Sequence, residues 1–287
     1  MRRTLAALWL ISLVSDVAAA DYGAPEFELP ALRGSTPYVP APPIYHRWSG
    51  FYGGGQFGYA NGKTDFGSSP SSVISQILRF TALEDQFHPG RWTSIPSAYP
   101  SGANFGAFVG YNSQWDDLVL GLELNYTHGT LTGSGSDAIA RRVTLNDFLY
   151  DVTVTSSAAM KLHDYFNSRI RAGYVMGQFL PYFSAGFVVG VLDYSKSGSV
   201  GYPTPIYALP PPIPPAGPPP TPPAVPTETL SDGKKNAVAL GYSVGGGVDV
   251  EVMPNVFVRG EYEFVGLPVA RMKLFMHNFR LAAGLKM

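Results

Sequence analysis

Nine ionisable residues fall on one face of strand-like segments: Glu123, Arg169, Arg171, Asp249, Glu251, Arg259, Glu261, Glu263 and Arg280. Five acids and four bases nearly cancel. Guanidiniums and carboxylates gathered on one face can do one of two things. In a narrow closed space they form a compensated ion-pair network, because a lone buried charge is costly. In a wider one they line a selectivity ring around water. The network is the expectation here, with the ring as its alternative.

Other chemistry has less support. The chain has no cysteine, which excludes disulfides, thiol nucleophiles and thiolate metal sites. Its histidines, His46, His88, His128, His163 and His277, lack metal-ligand spacing such as H-E-x-x-H. His128 ends one strand-like segment and His163 begins the next, so the two could meet at a rim and hold a metal or haem. Solvated rim residues are the plainer reading. A surface enzyme could draw on Asp147, Asp151, His128 and His163, but their spacing specifies no nucleophile, base and orienting acid. Gly53-Gly54-Gly55 precedes no helix pattern and is not a phosphate loop; close packing explains it better. Neither enzymatic activity nor a cofactor nor a metal is expected.

The elements that position these residues are strands. Phe275 to Met287 alternates strictly, with Phe279, Leu281, Ala283, Leu285 and Met287 on one face and Asn278, Arg280, Ala282, Gly284 and Lys286 on the other. Seven further segments read the same way: 48–60, 102–112, 118–128, 162–175, 181–194, 237–252 and 256–265. Connections of about two to five residues follow 102–112, 162–175 and 237–252, while those after 48–60, 118–128 and 181–194 run to roughly thirty or forty. Short turns on one rim and long loops on the other, with an even number of strands near ten residues, is the plan of a transmembrane barrel. In lipid every backbone group must be paired internally, so such a sheet closes on itself. Eight strands leave an interior that side chains fill. The fold expected is an all-β, eight-stranded antiparallel transmembrane barrel, with long extracellular loops and short periplasmic turns.

Composition agrees. The 287 residues are 45% hydrophobic but only 14% charged, against ~25% charged in ordinary soluble domains. A net charge of -1 leaves no footprint for nucleic acid. Met1 to Ala20 reads as a signal peptide: Arg2 and Arg3 are basic, Thr4 to Val14 is apolar, and Ala18 and Ala20 satisfy the small-x-small rule before cleavage at Asp21. Six prolines make 21–47 an extended periplasmic spacer, and the barrel spans 48–287. Within it, 201–227 holds 13 of the 26 prolines. That segment should be a polyproline surface loop, either a plain spacer or a docking surface for another protein.

Trp48-Ser49-Gly50-Phe51-Tyr52-Gly53-Gly54-Gly55-Gln56-Phe57-Gly58-Tyr59 resembles the opening strand of small outer-membrane proteins of alphaproteobacteria, the Omp25/Omp31-like group. Arg169-Ile170-Arg171-Ala172-Gly173-Tyr174, Pro181-Tyr182 and Arg259-Gly260-Glu261-Tyr262-Glu263-Phe264 are similar to later segments of that group. The resemblance implies an abundant surface barrel of the cell outer membrane, linked to envelope integrity and without catalysis. It implies contact with outer-membrane lipids, lipopolysaccharide and the barrel assembly machinery. Alternatives are a small porin-like channel or haem-binding barrel, and a secreted adhesin-like β protein. Barrels of this kind favour a terminal aromatic as part of the assembly signal; here Leu285 and Met287 keep the apolar alternation but end on methionine. The long proline loop is a second departure.

Overall fold

The computed structural model describes residues 47–145, 148–202, 206–207 and 225–287. The signal peptide with Ala18, Ala20 and Asp21, nearly all of the 21–47 spacer, Asp147 and most of the proline segment lie outside the described residues.

Alternation builds nine strands: β1 (Gly50–Asp65), β2 (Ser101–Trp115), β3 (Leu118–Leu145), β4 (Phe148–Tyr174), β5 (Phe179–Tyr202), β6 (Ile206–Tyr207), β7 (Val225–Met253), β8 (Val256–Val269) and β9 (Met272–Lys286). Eight of them form an antiparallel ring. Each pairs with the next in chain order, β7 following β5, and β9 closes on β1 from Tyr52↔Lys286 to Asp65↔Lys273. The two-residue β6 pairs only with the start of β4. Closure removes the free edges a sheet would otherwise expose. No described helix is long and apolar enough to cross a membrane, a test that does not address strands.

Phe51, Phe57, Phe105, Leu122, Leu124, Ile170, Phe183, Phe187, Leu240 and Leu281 all point outward and are exposed. Their partners in the alternation point into the ring. A soluble barrel would bury the first set; this one presents it to its surroundings, as a barrel in lipid must.

Two stretches read from sequence as long loops are largely strand. Residues 129–145 continue β3, and 148–161 continue β4, pairing as far as Leu145↔Phe148 across a two-residue connection. β5 and β7 likewise stay paired up to Tyr202↔Val225. The alternation is present there, since Val152, Val154, Ala158, Met160 and Leu162 are buried at every second position. The register shift at Leu162/Asp164 in β4 changes its phase, with buried positions even-numbered up to Leu162 and odd-numbered from Tyr165, so the pattern stops matching the segment that follows. The expected short turns stand at Asp116–Asp117, 175–178 and Pro254–Asn255. That end is called the turn end below, and the opposite one the loop end.

The β1–β2 connection carries α1 (Ser71–Ile77), α2 (Ala82–Phe87) and a 3-10 turn at Pro89–Arg91. Thr81 caps α2 by accepting from the Glu84 N–H at 3.3 Å. Ile74, Leu78 and Leu83 pack against Val143, Val152, Val154 and Val200 of the extended strands. This helical segment, absent from the sequence expectation, gives the extended β3–β7 wall an apolar core of its own.

Candidate functional site

The inward side chains fall into layers. At the turn end Trp48, Tyr52, Phe108, Val119, Leu180, Phe257 and Ala282 form an aromatic and aliphatic floor. Large residues fit because glycines stand opposite them. A Cβ on Gly110 would lie 2.4 Å from the Tyr52 ring, and one on Gly284 would lie 2.5 Å from Phe257. Lys286 stands 4.4 Å over the Trp48 ring and donates to the Arg47 carbonyl at 3.0 Å.

Above the floor lies the charge network. Arg169 donates to Glu123 and Glu261, each at 2.5 Å, and stands 3.5 Å from Glu263. Arg171 bridges Glu123 at 3.0 Å and Asp249 at 2.7 Å. Arg259 spans Asp249 at 2.6 Å and Glu123 at 2.9 Å. Arg280 pairs with Glu261 and, at 2.9 Å, with Glu263. All eight side chains are at most 3% exposed. Four carboxylates meet four guanidiniums, so the buried charge cancels.

Eight of the nine expected residues therefore come together. The structure sets Glu251 apart: it pairs with Lys286 at 2.9 Å near the turn-end rim. Inward positions recur every second residue, so Glu251 lies ~7 Å further along β7 than Asp249 and passes below the network.

Sequence reasoning missed the groups that complete the site. The phenols of Tyr52 and Tyr182 donate to Glu123 at 2.8 Å and Glu261 at 2.5 Å, and Tyr165 donates to Glu263 at 3.2 Å. The Arg171 guanidinium stacks 3.7 Å from the Tyr182 ring centroid. Gln56, Asn125, Asn167, Asn104 and Asn278 form an amide layer, with Gln56 donating to Asn125 at 2.6 Å and Asn167 to Glu263 at 2.5 Å. Parity could have found them, because each occupies an inward position of its strand. Beyond this layer the lumen turns apolar again, with Phe66, Leu131, Met160, Leu162, Leu192, Leu267, Met272, Leu274 and Met276 packed across it. The charges are thus enclosed between two apolar layers.

The two histidines expected at a rim stand partway along β3 and β4, because those strands continue past them, and each faces a carboxylate rather than the other. His128 Nδ1 lies 2.7 Å from Asp164, which also accepts from the Tyr126 hydroxyl at 2.8 Å; His163 Nε2 lies 3.0 Å from Asp193. Among the described residues no group of three or more His, Asp or Glu could hold a metal ion. Leu285 and Met287 are exposed on the outer face, and the Met287 N–H donates to the Phe51 carbonyl at 2.8 Å, tying the residue after β9 to the first strand.

Residues 37–286 match the family described as the outer membrane protein beta-barrel domain. No curated protein matches the chain. Among solved structures, Neisserial surface protein A is similar at 15% identity and a TM-score of 0.33, over 83% of this chain and 98% of that one. Ail, the attachment invasion locus protein of Yersinia pestis, is similar at 11% identity and 0.28, over 83% and 99%. The outer membrane protease OmpT from Escherichia coli is similar at 12% identity and 0.30, over 83% and 96%. Likenesses this distant say nothing about activity.

Proposed function

The chain belongs to the outer membrane protein beta-barrel family, and on that premise we propose that it is a closed, non-catalytic wall element of the cell outer membrane, serving envelope integrity. Its turn end then faces the periplasm and its loop end the exterior. One observation carries the reading. The lumen is filled by a neutral eight-charge network held between an aromatic floor and an aliphatic layer. A conducting ring needs charges that water and ions can reach; these side chains are at most 3% exposed.

Catalysis has little to work with. The His128–Asp164 and His163–Asp193 pairs lie partway along the β3–β4–β5 wall rather than in the lumen. The extended β3–β4–β5–β7 wall favours a second role at the cell surface, in contact with other proteins. Affiliation with the alphaproteobacterial small-barrel group is supported by the Trp48–Tyr59 opening and the Arg169–Tyr174 and Arg259–Phe264 segments.

Single-channel recording of the refolded protein in a planar bilayer tests the proposal. A silent bilayer is expected while gel migration shows the protein folded. Stable discrete current steps would overturn it and make Arg169, Arg171, Glu261 and Glu263 selectivity residues.

A further inference from the structure

The outward face of β8, β9 and β1 is a ladder that changes character step by step. Gly260 and Leu281 pair at its foot, with Phe57 opposite Leu281 on the other side. Next come Tyr262 and Phe279, ring centroids 5.1 Å apart, then Phe264 and His277 at 5.2 Å, with the Tyr262 hydroxyl 2.6 Å from His277 Nδ1. Phe275 stacks on Phe264 at 6.1 Å and pairs in register with Lys63; Lys273 follows one step higher. The β8–β9 turn tops the ladder. Its two residues, Ala270 and Arg271, both have positive φ, 47° and 67°. That conformation costs a non-glycine residue free energy and leaves Arg271 exposed beside the lysines.

Three cations, Lys63, Arg271 and Lys273, thus crown an aromatic wall. Among the described residues no carboxylate is within ion-pair distance of any of them. Asp65, the cross-strand partner of Lys273, turns its carboxylate to the Gly67 N–H at 2.9 Å. Below the crown, Phe57, Tyr59, Tyr262, Phe279 and Leu281 surround a groove of about 570 Å³ floored by Gly260. A Cβ added at Gly260 would meet nothing within 4 Å, so the slot is open to the outside of the barrel.

We propose that this wall is a docking site for a phosphorylated glycolipid of the outer leaflet, lipopolysaccharide, with its phosphates on Lys63, Arg271 and Lys273 and an acyl chain in the Gly260 groove. Charge complementarity and position select the occupant. The cations stand on the loop-end side of the aromatic band, which faces the exterior once the barrel is in the outer membrane. On this wall β8 and β9 end just beyond the band, so the cations lie at headgroup height, while the β3–β7 wall continues outward. A basic group near an anionic lipid surface gains from each phosphate it meets. The site rests on the membrane setting and not on a closed lumen, so a conducting barrel would leave it standing.

The refolded full chain is titrated with bisphosphorylated lipid A in detergent, and complexes are counted by native mass spectrometry. The Lys63→Gln, Arg271→Gln, Lys273→Gln triple variant should bind about a hundred-fold more weakly, and wild type should discriminate similarly against lipid A stripped of phosphate. Gly260→Leu keeps every charge and fills the groove, so it should also weaken binding. Lys234→Gln with Lys235→Gln, on β7, should leave binding unchanged. Heat-shifted gel migration verifies folding of each variant. Equal binding by wild type and the triple variant, or equal binding of phosphorylated and stripped lipid, would overturn the proposal. Unchanged binding by Gly260→Leu would overturn its acyl-chain half.

Discussion

Arg169 sits between three carboxylates at 1% exposure, and its removal would leave Glu123 and Glu261 short of a partner in a space closed to bulk solvent. Breaking one arm of a buried ion pair costs about 3–5 kcal/mol. Arg169→Met should lower the unfolding free energy of the refolded barrel by that order, read by urea titration in detergent; a loss below about 1 kcal/mol would mean the charges are hydrated after all. On the exterior, Arg142 donates to Asp151 at 2.7 and 2.9 Å and holds that carboxyl below the usual carboxylate range. The folded pKa is depressed, so the pairing acts above the unfolded value of ~3.9 and is lost as pH falls through the folded one. Both groups are exposed, so the effect is one of titration rather than stability. In Arg142→Gln the Asp151 midpoint should move up in a carbon-detected NMR titration, and an unmoved midpoint would exclude the pairing in solution.

At the scale of elements, the α1–α2 segment is held by few apolar anchors. Leu78 is fully buried among Ile74, Leu83 and the valines of β4 and β5. Leu78→Asp would place a charge in that cluster and release the helix while the ring, hydrogen-bonded on its own, persists. Limited trypsin digestion should then cut after Arg79 faster than in wild type, with gel migration of the barrel unchanged; equal cutting rates would show that the helices are held by something else. The extended strands teach a related lesson. Their period-two pattern was written in 148–161 all along. The shift at Leu162/Asp164 broke its phase, and a reading that demands unbroken alternation stops at the break.

At the scale of the molecule, a closed ring of eight paired strands has no edge from which to unzip. The folded protein should resist SDS until boiled and so run at two positions on a gel; identical migration of heated and unheated samples would argue against the ring. Met287 is exposed just past the closing strand, at the position where the resemblance to the small-barrel group implies an aromatic. Met287→Phe should raise the assembled fraction in the outer membrane, read on the same gel, and an unchanged fraction would show that Leu285 and Met287 already suffice.

The sequence alone determined the strand class, the inward and outward faces and the turn-end connections, because side-chain direction in a strand depends only on parity. It placed Glu123, Arg169, Arg171, Asp249, Arg259, Glu261, Glu263 and Arg280 on one face for the same reason. Only the tertiary structure decided which of them meet. Partners such as Glu123 and Arg259 are 136 residues apart and join through closure of the ring and the stagger of its strands. The same closure sets Tyr52, Tyr165 and Tyr182 on the carboxylates, leaves Glu251 to Lys286, and brings Lys63 and Asp65 of the first strand alongside Phe275 and Lys273 of the last. Parity is a local property of the chain; adjacency around a closed sheet is not.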